Sequence, residues 1–402
     1  MDVYVARQPI FDRGLRTYGY ELLYRQSSQN FFPGGNDEET TAELIYNSFL
    51  VVGLDNLTNG TKAFINFSKK FISGSTPYLL PKKNVVIEIL ERAQATPAMK
   101  SACNRLRSMG YTLALDDFVP SRESLPLIDL VDIVKVEYPA VDHEVQRRLI
   151  QKYGSRVCFL AEKIETRADY QLAAEMGYQL FQGYFFSKPA VINSADISSL
   201  NINLIRIMRE LRRNEPNFAV ISGIIEQDLG LSYKLLKLVN SAYFGAGNHV
   251  KSIQSALAFL GIQEIYKWIS MMLFKKMQNI ENAEMIKLSL VRGKQMELLA
   301  GALANGMDPT EAYFTGMFSF IEMLLNRPMK QVLREIPLPD RVKEALLGQQ
   351  NDLRRLLNCV VECEQARWDE AERRYSIISL IGVEKFMELY VEALKWEQEL
   401  RY

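Results

Sequence analysis

Thr112-Leu-Ala-Leu-Asp-Asp-Phe-Val-Pro-Ser-Arg-Glu-Ser-Leu-Pro-Leu-Ile-Asp-Leu-Val-Asp-Ile-Val-Lys-Val136 holds one complete strand, connector and strand. Thr112–Asp116 and Val131–Val136 are short apolar runs of strand length, and residues 121–129 between them carry apolar side chains at helical spacing. A crossover of this size joins parallel strands. Both runs carry charge near their C-terminal ends, the first as Asp116 and Asp117 and the second as Lys135.

The same alternation extends in both directions. Strands are predicted at Val3–Arg7, Thr17–Tyr24, Lys62–Phe67, Asn84–Leu90, Thr112–Asp116, Val131–Val136, Val157–Ala161 and Leu180–Tyr184. Helical patterns lie near 38–53, 93–109, 121–129, 142–153 and 166–176, the last opening with the capping run Thr166-Arg-Ala-Asp169. Eight strands with helices between them predict a (β/α)8, TIM-like barrel. Phe11-Asp-Arg-Gly-Leu-Arg16 is too short for a helical crossover, so the first two strands form a hairpin and one barrel strand is antiparallel.

Side chains at the C-terminal ends of barrel strands converge on one mouth. The sequence delivers Glu21, Asn66, Glu88, Asp116 with Asp117, Lys135, Glu162 and Gln182 to seven successive strand ends. A single acid there reads as a helix cap, but a polar residue on every strand of a run does not. Carboxylates this dense repel one another unless cations intervene, and oxygen donors without His or Cys favour Mg²⁺ or Mn²⁺ over zinc. Two such cations about 3.5–4 Å apart suit phosphodiester hydrolysis.

Here the residues resemble the EAL domain of cyclic-di-GMP phosphodiesterases. The resemblance rests on Arg7-Gln-Pro-Ile-Phe-Asp12, Tyr20-Glu-Leu-Leu-Tyr-Arg25, Ile65-Asn-Phe-Ser68, Glu88-Ile-Leu-Glu91, Leu115-Asp-Asp-Phe118, Val134-Lys-Val-Glu137, Ala161-Glu-Lys-Ile-Glu165 and Phe181-Gln-Gly-Tyr-Phe-Phe-Ser-Lys-Pro189. It implies that Glu21, Asn66, Glu88 and Asp116 bind a first metal, and that Asp117 with a shared Asp116 serves a second. Glu162 would be the general base and Lys135 would orient the water. Arg25 would contact the ligand phosphate through its forked guanidinium, Gln182 would complete the rim, and Glu91 and Glu165 would support neighbouring loops. Where active members read D-D-F-G-x-G-x-S-S, this chain reads Asp116-Asp-Phe-Val-Pro-Ser-Arg-Glu-Ser124, without either glycine. The family's E-G-V-E is Glu162-Lys-Ile-Glu165 and its K-x-D is Lys135-Val-Glu137. These departures place the second metal in doubt. The expectation is therefore a barrel that binds cyclic-di-GMP with weak or absent hydrolysis, the alternative being an active phosphodiesterase that yields the linear dinucleotide.

Beyond Pro189 the strand-like runs end and apolar residues recur at helical spacing, as in Ile202–Arg213, Phe218–Gln227, Tyr233–Ser241, Ile253–Leu260, Ile262–Met277, Asn282–Asn305 and Pro309–Leu325. The run from Ile225 to Ala242, with Val250–Ile253, Ala256–Gly261 and Trp268, resembles the HDOD domain, a relative of the metal-dependent HD hydrolases. Such a hydrolase centre needs several histidines, and this chain has only His143 and His249. Asp228 and Asn240 read as local helix caps, the Arg206–Arg213 run as a solvated face, and Tyr243, Phe244 and Trp268 as core. The expected organisation is a barrel over 1–190, a linker at 191–199 and a non-catalytic helical HDOD domain over 200–402 that meets a protein partner or its own barrel. A homodimer is expected by resemblance.

Lys plus Arg equals Asp plus Glu at 48 each among 402 residues, so no global field draws the chain to nucleic acid or an anionic membrane. Apolar runs stay short of the ~20 residues of a membrane span, and Met1-Asp2 lacks the basic start of a signal peptide, so a cytoplasmic protein is expected. Cys103, Cys158, Cys359 and Cys363 build no disulfide framework and read as buried thiols.

Overall fold

The computed structural model describes residues 3–26, 53–67, 72, 77, 80–89, 96–183, 202–240, 250, 252–279, 282–303, 306–325 and 327–400. The chain divides into two compact units, one of 1–190 with 280–287 and 356–402, the other of 191–279 and 288–355. The first thus takes in two segments that follow the barrel far along the chain.

Within the first unit, β1 (Val3–Asp12), β2 (Thr17–Gln26), β3 (Lys62–Phe67), β4 (Val85–Ile89), β5 (Thr112–Leu115), β6 (Ile133–Glu137), β7 (Cys158–Glu162) and β8 (Leu180–Phe181) close a barrel in sequence order. β1 runs antiparallel to both neighbours and every other pair is parallel, as the short hairpin requires. β4 is buried at every position, as a strand walled by the barrel interior and an outer layer must be. Inward side chains alternate with outward ones. Ile10, Phe64, Val86, Ala114, Ile133, Leu160 and Leu180 form one apolar cluster, the floor on which the site rests.

The outer helices begin where the sequence offers caps. Thr96 accepts from the Met99 amide ahead of Pro97–Ser108, and Asp142 accepts from Glu144 and Val145 ahead of His143–Tyr153. Thr166 and Asp169 exchange the reciprocal bonds of a capping box before Arg167–Met176, as their spacing predicts. The helix expected near 121–129 is instead a 3₁₀ segment, Leu125–Leu130, in which Pro126 removes an amide donor. The helix expected near 38–53 and the linker at 191–199 lie outside the described residues, apart from Gly53.

The outer face of the β1–β2 hairpin sets Arg7 and Tyr20 among buried apolar side chains such as Val5 and Leu22. The Arg7 guanidinium lies over the Tyr20 ring at 4.6 Å and donates to the Leu57 carbonyl at 2.7 Å. Tyr20 donates to Glu284 Oε1 at 2.8 Å and accepts from Lys287 Nζ at 2.7 Å, while Lys287 also pairs with Glu284. Gln398 donates to the Asn56 carbonyl at 2.8 Å and to Asn59 Oδ1 at 2.7 Å. Burial alone would raise the Glu284 pKa, but Lys287 and Arg7 together hold it below its ordinary value.

In the second unit the helix Ile253–Met277 is broken at Gly261, whose φ of 76° and ψ of 169° separate the two stretches expected from sequence. It is one helix, among the described residues, long and apolar enough to cross a membrane, but 61% of its apolar window is buried against the rest of the protein. Trp268 lies in this core. Asp228 caps the Leu231 amide. Asn240 does more than cap, because its side chain bonds both the Leu236 carbonyl and the backbone of Val250. Tyr243, Phe244 and His249 lie outside the described residues. All four cysteines are free, with Cys103, Cys359 and Cys363 buried and Cys158 half-buried.

Tyr20→Phe leaves Glu284 and Lys287 without their shared hydroxyl, and an expected loss of about 1–3 kcal/mol would appear as a lower midpoint in thermal unfolding. Because the folded Glu284 pKa lies below its unfolded value near 4.5, its contribution is present above that pH and lost as pH falls through the folded value. Glu284→Gln should accordingly flatten the acid limb of stability against pH.

Candidate functional site

One step of the strand period above the apolar floor, each inward position is polar. Ile10 is followed inward by Gln8 on antiparallel β1, Phe64 by Asn66, Val86 by Glu88, Ala114 by Asp116, Ile133 by Lys135, Leu160 by Glu162 and Leu180 by Gln182, while β2 contributes Glu21 opposite Gln8. The sequence-predicted rim is thus brought together as a single layer. Gln8 escaped the sequence reading because its strand runs against the others and presents its N-terminal half to the mouth. Its inward period with Ile10 was the available signal.

Lys135 Nζ lies at the centre with no solvent exposure, 2.5 Å from Asp116 Oδ1, 2.7 Å from Glu88 Oε1, 3.1 Å from Glu162 Oε1 and 3.3 Å from Glu21 Oε2. Gln182 Nε2 donates to Glu21 Oε2 at 2.8 Å and to Gln8 Oε1 at 3.2 Å, and Asn66 Nδ2 approaches Glu21 Oε1 at 3.5 Å. Burial would depress the Lys135 pKa, but the four carboxylates reverse this and hold it well above an ordinary lysine. The carboxylates are served less well, since they divide one ammonium among them. Burial raises Glu88 well above its ordinary value, with Glu21 and Asp116 adding to the shift and Lys135 opposing it. For the same reasons Asp116 is raised and Glu162 is pushed up to about 7.

Two carboxylate groups could hold a divalent cation, Glu21–Glu88–Asp116 and Asp116–Asp117–Glu162, with Asp116 in both. The donor set fits. Both Glu88 oxygens, Asp116 Oδ1, Glu162 Oε2, Asn66 Oδ1 and Gln182 Oε1 are buried without an aligned hydrogen-bond donor, and all are hard oxygens of the kind Mg²⁺ and Mn²⁺ take. Asp117 is exposed and left-handed at φ 46°, which turns it from the barrel axis toward the second group.

The loop after Asp117 closes on itself through serines. Ser124 Oγ donates to the Val119 carbonyl at 2.6 Å, and the Ser121 amide donates to Ser124 Oγ at 2.8 Å. Neither Val119 nor Ser121 has a positive φ, so this path does not require glycine. Arg25 sits on β2 opposite Tyr4 in register, Glu165 is exposed beyond β7, and Glu91 lies outside the described residues.

The EAL domain model matches residues 66–189 and the HDOD domain model residues 197–336. "Cyclic di-GMP phosphodiesterase CdgJ" of Vibrio cholerae serotype O1 is 34% identical over 404 residues, spanning 99% of this chain and 93% of that protein. The chain belongs to the EAL–HDOD family. A further relative is "Uncharacterized protein YuxH" of Bacillus subtilis, 40% identical over 98% of both chains. Among solved structures, the EAL barrel overlaps BlrP1 of Klebsiella pneumoniae at 21% identity and a TM-score of 0.39, covering 47% of this chain and 56% of that one. It also overlaps a standalone EAL protein of Vibrio cholerae O395 at 23% identity and 0.37, covering 47% and 92%.

Lys135→Met removes the central ammonium from this EAL–HDOD site and leaves four facing carboxylates. The metal-free protein is expected to lose about 3–5 kcal/mol, with Mn²⁺ restoring much of it, as thermal unfolding with and without the cation would show.

Proposed function

We propose that the EAL barrel is a metal-dependent phosphodiesterase that opens one phosphodiester of cyclic-di-GMP to the linear dinucleotide, with the HDOD half serving as a contact module for a protein partner. The observation that carries this reading is the pair of carboxylate groups sharing Asp116, the second of which includes Glu162, raised to about 7. The full-length relative named a cyclic di-GMP phosphodiesterase supports the choice of substrate.

Glu21, Asn66, Glu88 and Asp116 would hold one divalent cation, and Asp116, Asp117 and Glu162 a second. Bound there, the cations would supply Lewis-acid activation and neutralise charge on the phosphodiester. Glu162, once ionised, takes the proton of the attacking water, for which a pKa near neutrality suits it. Lys135, fixed by four carboxylates, would orient that water. Gln182, which also donates to Gln8, holds Glu21 in place, and Arg25 on β2 would offer its guanidinium to a phosphate. No HD-type metal centre is assigned to the HDOD half, since the chain has only two histidines and one of them, His143, stacks on Tyr138 in the barrel. A homodimer is part of the proposal.

A second reading, a receptor that binds cyclic-di-GMP with weak or absent hydrolysis, draws on the exposed Val119 in the loop beside Asp117, where the family carries glycine. Chromatography of nucleotide products after incubation with Mg²⁺ or Mn²⁺, together with calorimetry in Ca²⁺, separates the two. Turnover that falls at least about a hundredfold in Glu162→Gln while binding persists is the expected result. Binding without turnover would establish the receptor, and neither would sink both readings. The kcat/KM profile should rise with pH and level at or below about 7, because Glu162 must be ionised and a bound cation lowers its pKa further.

A further inference from the structure

Lys163 stands directly after Glu162 in a backbone conformation that side chains seldom take, with φ at 56°. The cause lies in the next residue. Ile164 is fully buried, its amide donates to the Gln182 carbonyl at 3.0 Å, and its backbone lies so close to Gly183 that a Cβ there would meet the Ile164 nitrogen at 2.3 Å. With Glu162 fixed inside the barrel and Ile164 pinned against β8, residue 163 must turn left-handed, and its side chain leaves toward the mouth's outer edge.

There Lys163 Nζ reaches Glu137 Oε2 at 2.8 Å. Glu137 is the register partner of Glu162 across β6 and β7, so a further carboxylate stands one strand from the second cation group. The hydrogen bond and charge of Glu137, and behind them Asp117 and Glu162, raise the Lys163 pKa above that of an ordinary lysine. The ammonium is therefore electrostatically coupled to two of the three carboxylates of that group.

We propose that Lys163 is a tethered counter-ion that withholds Glu137 from the Asp116–Asp117–Glu162 group and offsets part of its field, so that this group takes a divalent cation weakly while Glu21–Glu88–Asp116 takes one tightly. The inference rests on the metal reading above. Occupancy of the weaker position would then follow the ambient concentration of free divalent cation.

The test is titration of the full chain with Mn²⁺, reading free Mn²⁺ by electron paramagnetic resonance without any nucleotide. The unmodified protein is expected to show one tight and one weak ion. Lys163→Gln and Lys163→Gly should both tighten the weak ion roughly three- to tenfold, and the gain should shrink as salt rises because Lys163 is solvent-facing. Lys163→Arg should retain the weak ion, and adding Glu137→Gln to Lys163→Gln should abolish the gain. Tightening by Lys163→Gly alone would mean that the backbone turn and not the charge sets affinity, which overturns the proposal. Two equally tight ions in the unmodified protein would overturn it while leaving the metal reading intact. No bound Mn²⁺ in any variant would remove both.

Discussion

One ammonium faces four carboxylates inside a closed barrel, and that imbalance organises the molecule. Lys135 has no exposed surface and sits inside the closed barrel, where four carboxylates hold its ammonium. Its charge is secured by its neighbours, whereas theirs are only partly secured by it, so the lysine is driven toward permanent protonation and the acids toward neutrality. A well-packed apolar layer would have been the more stable filling for this level of the barrel. The floor beneath it shows that the same strands can supply one. The polar layer is thus a local surrender of stability to chemistry, set by a change of residue type every second position.

β2 is where this layer meets the rest of the first unit. Glu21 points inward to Lys135 and Gln182, while Tyr20, its neighbour on the opposite face, is held by Glu284 and Lys287. A strand bonded on both faces by buried polar groups has little freedom to slide, because any shift of register would expose both networks at once. The hairpin partner repeats the device, with Gln8 turned inward and Arg7 outward over the Tyr20 ring.

What could be read in advance follows the range of the interactions involved. The strands, the hairpin, the capping box at Thr166 and the helix break before Ile262 depend on residues a few positions apart, and their periodicities are visible in the sequence. The rim residues were legible for the same reason, each lying at a fixed distance along its own strand. The 3₁₀ segment at Leu125–Leu130 was missed because local serine and proline chemistry outweighed an apolar spacing that fits a helix equally well. The network around Tyr20 was invisible, since Glu284 and Lys287 look like a surface ion pair at helical spacing until the fold brings them more than 260 positions back along the chain. The inclusion of 356–402 in the barrel unit was hidden likewise, because an amphipathic helix does not name the surface it covers.

That inclusion bears on the order of events during synthesis. The barrel strands are complete by residue 183, yet the segments that join their unit follow at 280–287, about 90 residues beyond the end of the first segment, and at 356–402, about 165 beyond it. At typical elongation rates of about 5–20 residues per second the nascent barrel therefore spends on the order of 10–30 s before its outer layer is complete. For the whole of that interval Arg7 lacks Tyr390, and for about its first half Tyr20 also lacks Glu284 and Lys287. Arg7 and Tyr20 carry polar groups that water can serve during such a wait, which an all-apolar face of the same size would lack.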